Sequence, residues 1–113
     1  MSDMVEPEGW MTVPEVAELL GQRIASVHRA LREGTMLGAR HDNVIRIPTE
    51  LVTRDERVAK HIAGVITLLR DAGLSPQASL EWLYTPDDTL NGTPAKALHG
   101  PKAREVKRRA QGL

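Results

Sequence analysis

Two short helices are predicted near the start of the chain from the spacing of its apolar residues. Thr12 is followed by a proline and a glutamate in the order of a capping box, and apolar residues then recur at helical spacing until a glycine ends the run. A second helical pattern extends from Ile24 to Glu33, with Ile24, Val27 and Leu31 expected to form its inward stripe. The glycine turn between the two patterns indicates a helix-turn-helix.

The residues that follow alternate between apolar and polar side chains, as β-strands do. The pattern predicts strands over residues 36 to 40 and 44 to 47, joined by a tight turn at His41-Asp42-Asn43. Arg40 and Arg46 are expected to share the exposed face of this hairpin. The residues expected on its apolar face are Leu37, Ala39, Ile45 and Ile47. Two helices followed at once by a hairpin predict a winged helix-turn-helix, which places its second helix in a DNA major groove.

The second half of the chain has only helical patterns. The strongest one places apolar residues at i, i+4, i+7, i+8 and i+11, namely Val58, Ile62, Val65, Ile66 and Leu69. Shorter helices are predicted after Ser75-Pro76 and Thr93-Pro94, and a basic helix after Gly100-Pro101. The expected fold class is therefore mainly α, a winged helix-turn-helix with a helical C-terminal extension.

The length of 113 residues suits one small domain with an appended subdomain. Residues 1–11 are polar and acidic, and we expect a flexible tail there. Residues 12–57 are expected to form the winged helix-turn-helix, and residues 58–113 a helical C-terminal subdomain packed on it. The chain has no signal peptide pattern and no apolar run long enough to span a bilayer, so we expect a soluble, cytoplasmic protein with no membrane partner.

The charges are balanced overall but segregated along the chain. Fifteen basic and fifteen acidic residues give a net charge of zero, which argues against a non-specific nucleic-acid binder. Residues 1–20 carry five acidic groups and no basic one, whereas residues 21–47 carry five arginines against two acidic residues. Residues 102–109 form a second basic segment. Two local concentrations of positive charge therefore keep double-stranded DNA open as a partner.

The outward face of the second helix carries the residues expected to contact DNA. Arg29 and Arg32 are the candidates for groove contact, because a guanidinium group can bind guanine bidentately or hold a phosphate. Further contacts from the helix and the hairpin are expected from Arg23, Ser26, His28, Arg40 and Arg46. The basic C-terminal segment offers candidates for additional phosphate contacts, namely Lys102, Lys107, Arg108 and Arg109. That run is equally well explained as a solvated helix face.

No catalytic, metal or cofactor site is expected. The absence of cysteine excludes disulfides, thiolate metal ligands and cysteine nucleophiles. The histidines have no metal-ligand spacing, which predicts solvated or capping roles for His28, His41, His61 and His99. Asp87-Asp88 follows a proline, which is typical of a turn or a cap. An enzyme is the weakest class of function for this chain.

Residues 11–48 resemble the winged helix-turn-helix pattern of the excisionase and MerR families. The matching positions are Met11-Thr12, Glu15, Ala17, Leu19-Leu20-Gly21, Val27, Arg29, Leu31-Arg32, Gly34, Leu37, Ala39 and Arg46-Ile47-Pro48. The turn at Gln22-Arg23-Ile24 departs from the short segment common in those families. The resemblance implies DNA binding by the second helix.

From Met11 to Gln111 the chain is similar to a small actinobacterial family of winged-helix DNA-binding proteins. The segments that carry the similarity are Val65–Gly73, Trp82–Asp87 with Leu90, Ala97–His99, Ala103–Val106 and Arg108–Gln111. The resemblance implies DNA binding, sequence-specific or general, and control by phosphorylation. We therefore expect a transcriptional regulator. One mycobacterial member is a substrate of a serine/threonine protein kinase, so such a kinase is a candidate partner.

The run from Trp82 to Leu98 is also similar to the C-terminal domain of certain antitoxins. Such a domain lies beside a helix-turn-helix and engages a toxin. This resemblance implies an alternative function, an antitoxin-like module whose C-terminal part binds a toxin-like protein partner. The two functions are compatible, and the oligomeric state stays open between monomer and dimer.

Overall fold

The computed structural model describes residues 3–113, and these residues form six α-helices and three short β-strands. In chain order the elements are β1 (Trp10–Thr12), α1 (Val13–Leu20), α2 (Ile24–Glu33), β2 (Ala39–His41), β3 (Val44–Pro48), α3 (Glu56–Asp71), α4 (Pro76–Leu83), α5 (Pro94–Ala97) and α6 (Ala103–Gln111). Short 3-10 turns follow β3 at Thr49–Leu51 and precede α5 at Asp88–Leu90. The predicted fold class, mainly helical with a winged helix-turn-helix, is confirmed.

Thr12 caps α1 as the sequence predicts. Its hydroxyl accepts a hydrogen bond from the Glu15 N–H at 3.3 Å, and the Glu15 carboxylate accepts one from the Thr12 N–H at 2.8 Å. These bonds satisfy donors that the start of the helix would otherwise leave unpaired, and the bond from the Thr12 N–H to the carboxylate lowers the pKa of Glu15. Gly21 then takes the left-handed conformation, at φ 64°, that ends α1. The second helix occupies the predicted bounds, Ile24–Glu33.

The strand β1 corrects the prediction of a loose tail up to residue 11. The three strands form an antiparallel sheet in the order β1-β3-β2. Opposite partners in β1 and β3 are Trp10 and Pro48, Met11 and Ile47, and Thr12 and Arg46. Upstream, the Val5 N–H donates to the Tyr84 carbonyl at 2.9 Å. The hydrogen bonds that hold this segment come from residues distant in the sequence, so local polarity could not predict them.

The hairpin of β2 and β3 is here called the wing. Its first strand begins later in the chain than predicted. Thr35 and Met36 donate their N–H groups to the Ala30 carbonyl, at 3.0 and 3.2 Å, and so complete the end of α2. The chain therefore enters β2 only at residue 39. The turn is one residue shorter than predicted, because His41 belongs to β2 and pairs with Val44. Asp42 and Asn43 alone connect the strands, both left-handed at φ 51° and 66°.

The register of the wing places Arg40 and Arg46 on opposite faces, contrary to the prediction. Arg40 lies opposite Ile45, and Ala39 lies opposite Arg46. Residues directly opposite each other in an antiparallel pair share a face. Ile45 packs against the apolar cluster beneath the helix-turn-helix, so Arg40 lies on the helix side of the sheet and Arg46 on the other. A shift of one residue in register reverses the faces, and the alternation of side chains alone did not determine it.

Two apolar clusters form the interior. The winged cluster lies beneath the helix-turn-helix and consists of Val13, Val16, Ala17, Val27, Ile47 and Val52. The C-terminal cluster joins α3 to the helices after it, and its fully buried members include Val65, Leu69, Leu80, Leu83, Leu98 and Val106. Within residues 3–113, no helix is both long enough and apolar enough to cross a membrane.

Several side chains connect the winged segment to the C-terminal helices, and Leu37 and Arg70 are two of them. Leu37 lies just before β2, yet it packs into the C-terminal cluster with only 1% of its surface exposed. Arg70, in the last turn of α3, donates from Nη1 to the Glu33 carbonyl at 3.1 Å. This bond satisfies a carbonyl that the end of α2 leaves free. The C-terminal helices thus hold the end of α2 in place.

Ile24 corrects the predicted inward stripe of α2. Val27 is fully buried and Leu31 half-buried, as the pattern predicts, but Ile24 is 49% exposed. It is the first residue of the helix and lies beyond the winged cluster that covers Val27. Helical periodicity gives the direction of a side chain but not how far along the helix its neighbours extend.

We expect Leu37→Ala to lower the free energy of unfolding by about 2–5 kcal/mol, because it opens a cavity where the wing meets the C-terminal helices. Urea denaturation followed by circular dichroism measures this change. Leu113→Ala removes the same atoms from a side chain that is 58% exposed, so it should leave stability within about 0.5 kcal/mol. Equal effects of the two substitutions would contradict this account.

Tyr84 places a hydroxyl in the C-terminal cluster, where it has no hydrogen-bond partner among the described residues. Burial raises the pKa of Tyr84, and the negative charges of the Glu50 and Glu8 carboxylates raise it further. The Tyr84 hydroxyl forms no hydrogen bond with Glu50 in the described structure. An unpaired buried hydroxyl costs about 1–3 kcal/mol. Tyr84→Phe should therefore maintain or raise the urea midpoint at unchanged m-value. A midpoint below that of the wild type would show that the hydroxyl has a partner.

Candidate nucleic-acid interface

The helix α2 presents a positively charged outward face. Val27, with no exposed surface, anchors the helix on α1 and β3 through the winged cluster. Because successive residues turn by about 100° around a helix, Ala25, Arg29 and Arg32 lie on the side opposite Val27. All three are exposed. The same packing that buries one face therefore leaves the other free for a ligand.

The two arginines on this face are available for binding. Within residues 3–113, neither Arg29 nor Arg32 forms a salt bridge with an acidic side chain. Arg32 also borders a cavity of about 210 Å³ that lies between the end of α2 and the helices α3 and α4. A planar guanidinium group without an internal partner is suited to phosphate or to the edge of guanine.

The start of α2 has no side-chain cap. Arg23 occupies the N-cap position in an extended conformation, and its exposed side chain makes no capping hydrogen bond. Ser26, predicted to contact a DNA backbone, is half-buried, and its N–H donates to the Arg23 carbonyl at 3.0 Å. His28 is also half-buried, on the flank of the helix. The first turn thus keeps the partial positive charge of a helix N-terminus, which favours an anion.

The two arginines of the wing lie on opposite faces of the sheet, one on the face that packs against the helix-turn-helix and one on the other face. Both Arg40 and Arg46 are exposed. Arg46 shares its face with Thr12 of β1 and is near enough to Glu15 to help lower the pKa of that carboxyl, after the larger effect of the Thr12 hydrogen bonds. On this sheet the Trp10 and His41 rings meet edge to face, with centroids 4.6 Å apart. Arg40 is thus the wing arginine on the side of α2.

Three of the four basic residues predicted as additional phosphate contacts in the C-terminal run have partners within the protein. Arg109 pairs with Asp87 at 2.9 Å and with Glu105 at 3.2 Å. Arg108 binds Glu105 at 2.8 Å, and the Lys102 ammonium donates to the Thr89 carbonyl at 2.6 Å. In the described part of the chain, Lys107 is the one of the four with no such bond. The contacts of Arg109 with Asp87 and of Lys102 with Thr89 fasten α6 to the turn before α5, whereas the bond between Arg108 and Glu105 lies within α6.

The acidic partners in this network have lowered pKa values. Hydrogen bonds from Thr89, and then the Arg109 guanidinium, lower the pKa of Asp87. Hydrogen bonds from Arg108 and Arg109 lower the pKa of Glu105. Asp87 also accepts the Thr89 N–H at 2.8 Å and so caps the 3-10 turn, which confirms the predicted turn role of this position. The network therefore favours the charged form of both carboxyl groups.

Arg70 is a residue of this region that the sequence did not single out. A basic residue in the last turn of a helix is expected to interact with carbonyls of its own helix. Here it reaches the end of α2, a contact between positions 37 residues apart that no local pattern indicates. Ile24 was likewise assigned to the interior, and its exposure became evident only from the tertiary packing.

The described residues contain no group of three or more potential metal ligands among their histidine and acidic side chains. His99 lies 2.6 Å from the Glu50 carbonyl through its Nε2 atom, and His41 packs against Trp10. These two histidines thus serve local contacts between elements. In the described chain, the exposed arginines of α2 and the wing form none of the salt bridges.

Comparison with known proteins gives two family models that match the chain in succession. The model described as DNA-binding protein Rv2175c, wHTH domain, matches residues 1–52, and the Rv2175c C-terminal domain of unknown function matches residues 59–113. The chain is 36% identical over 124 residues to the DNA-binding protein Rv2175c of Mycobacterium tuberculosis (strain ATCC 25618 / H37Rv), covering 98% of this chain and 85% of the relative. It is also similar to the NMR structure of Rv2175c, with a TM-score of 0.81 over 96% of this chain and 83% of the other.

Arg109→Gln should lower the melting temperature at neutral pH, because it removes the bridge between α6 and Asp87. Arg104→Gln is the matched control, since Arg104 is exposed on the same helix and forms no salt bridge in the described chain. Differential scanning calorimetry measures both variants. Equal melting temperatures for the two variants would show that the network does not support the fold.

The same network predicts a direction for the pH dependence of stability. The folded pKa values of Asp87 and Glu105 are lowered, so their contribution is complete above their unfolded values of about 4. It is lost as the pH falls through the folded values. We expect the difference between wild type and Arg109→Gln to shrink as the pH drops below about 4. A difference that grows in acid would contradict this assignment.

Proposed function

The chain belongs to the family of the DNA-binding protein Rv2175c, and on that premise we propose that it binds double-stranded DNA with α2 in the major groove. The observation that carries this proposal is the outward face of α2. Its two arginines, Arg29 and Arg32, are exposed and have no salt-bridge partner in the described chain, while Val27 holds the helix from behind. A helix held in this way can enter a groove without disturbing the core.

The proposed contacts divide into two classes. Arg29 and Arg32 lie where base edges and the adjacent phosphates can be reached, so they are the proposed groove contacts. Arg23, at the N-cap position of α2, is proposed to bind the backbone, with Ser26 and His28 at the flank of the helix. These contacts supply the register in which the base contacts are made.

In the wing, we assign the main contact to Arg40. It lies on the helix side of the sheet, so it can approach the DNA that α2 occupies. Arg46 lies on the other face near the carboxylate of Glu15, which weakens its attraction for phosphate. The sequence predicted that both arginines share one exposed face, and the register of the wing separates them.

The charge distribution predicts binding of moderate strength. The net charge is zero, and most of the basic C-terminal run is neutralised within the protein. Affinity therefore depends on the few free arginines of α2 and the wing, and each phosphate contact adds about 0.9 to the salt slope. We propose a regulatory role in transcription, in the cytoplasm. No contact in the described chain favours a kinase or a toxin-like protein as a partner.

The test is the loss of duplex affinity when the outward face of α2 is neutralised. Arg29→Ala combined with Arg32→Ala should weaken binding at least about 30-fold, since each good base contact contributes about 1–3 kcal/mol. The affinity for a duplex selected from a random pool is measured by fluorescence anisotropy. A salt concentration of about 100 mM is used because phosphate contacts are still strong enough to detect there.

A matched control removes two positive charges from α3 and α6 instead. Lys60→Ala combined with Arg104→Ala neutralises two exposed residues without touching α2, the wing or the salt bridges of Arg109. This variant should retain duplex affinity within about threefold, because neither residue is a proposed DNA contact and salt screens long-range charge interactions. If both double variants bind as the wild type does, or lose affinity equally, the assignment of α2 is wrong. Circular dichroism verifies that both are folded.

A further inference from the structure

The start of α2 carries an apolar tip that the fold does not use. Ile24 belongs to neither interior cluster and is 49% exposed. The next residue, Ala25, is also exposed. Of the large apolar side chains that are exposed in residues 3–113, Ile24 is the one that lies on α2, since the others are Val5, Val44 and Leu113.

Two arginines of the same segment lie near this tip. Arg23 precedes Ile24 directly, and Arg29 lies one turn further along the same exposed side as Ala25. Neither arginine is paired with an acidic side chain in the described chain. An exposed apolar side chain beside unpaired arginines therefore favours a partner in which a small apolar group is flanked by negative charges. Two copies of the same tip would bring like charges together, which disfavours a symmetric contact between protein chains.

The major groove of DNA has such an apolar group at every A·T pair. The C5-methyl group of thymine projects into the groove beside hydrogen-bonding groups and between two rows of phosphates. In a helix-turn-helix, the N-terminal residues of the inserted helix are the ones that approach base edges. Ile24 and Ala25 are the first two residues of α2.

We propose that Ile24, together with Ala25, contacts the C5-methyl group of a thymine and so determines part of the sequence specificity. This inference rests on the proposed binding of duplex DNA by α2. It adds a specificity that does not depend on hydrogen bonds, since arginine selects guanine through its acceptors whereas an aliphatic tip selects the methyl group. The preferred site then has a thymine next to the positions contacted by Arg29.

Deoxyuridine provides a direct test, because it differs from thymidine only by the absence of that methyl group. Each thymine of the selected duplex is replaced in turn by deoxyuridine, and the affinity of the wild-type protein is measured by fluorescence anisotropy. One or two positions should weaken binding about fourfold, the equivalent of one methyl group withdrawn from an apolar contact. Replacements elsewhere in the duplex should have no effect.

The same scan on Ile24→Ala identifies the side chain responsible. Alanine keeps the helix, since it has the highest helix propensity, but removes most of the apolar tip. The variant should bind the thymine duplex about fourfold more weakly and should lose most of its sensitivity to deoxyuridine. Val5→Ala, which shortens another exposed apolar side chain at 42% exposure, should retain both the affinity and the sensitivity of the wild type.

The outcomes separate this inference from the proposed function. If the wild-type protein binds no duplex, the proposed function fails. If it binds but no thymine is sensitive to deoxyuridine, or if Ile24→Ala keeps the full sensitivity, the methyl contact is overturned while DNA binding stands. If sedimentation velocity shows that Ile24→Ala dissociates a dimer and the deoxyuridine effect is absent, the tip is an interface between protein chains and the inference is overturned.

Discussion

The burial of Val27 is the contact on which the arrangement of this molecule depends. It joins α2 to α1 and to the Ile47 position of the wing in one cluster, and no part of its side chain is exposed. Because a helix has two sides, fixing one side inward leaves Arg29 and Arg32 facing outward with no further device. Arg70 and Leu37 add a second support from the C-terminal helices, which hold the end of α2 and the entrance to the wing. The surface that faces a ligand is thus supported at both ends.

Much of the first half could be predicted because its signals are local. The capping box at Thr12, the left-handed glycine at position 21 and the helix from Ile24 to Glu33 all follow from residues within a few positions of each other. The faces of the wing could not be predicted in the same way. They depend on the length of the turn. Two residues, Asp42 and Asn43, connect the strands, so Val44 pairs with His41 and the faces are the reverse of those expected from a three-residue turn.

The sequence predicted which arginines are candidates for DNA contact, but not which basic side chains are already bound to acidic residues of the protein. Arginine at positions 29 and 32 follows the helical period, and both side chains are exposed as expected. The C-terminal run gave an equally basic pattern, yet Arg109 is bound to Asp87, which lies 22 residues earlier on another element. For Ile24 the error was the opposite one: the pattern predicted a buried side chain, and the structure leaves it exposed. Charge and hydropathy describe what a side chain can bind, whereas the tertiary fold decides what remains unbound.

The strand order β1-β3-β2 has a consequence for how the molecule behaves among its own copies. An unpaired sheet edge invites another chain to add a strand, which leads to aggregation. Here β1 covers one side of β3, so the edges of the sheet are β1 and β2. Each is three residues long, and β2, the edge that belongs to the wing, has an exposed arginine in the middle. So short and charged an edge is a poor template for a further strand. The wing can therefore extend from the protein while its open edge discourages self-association.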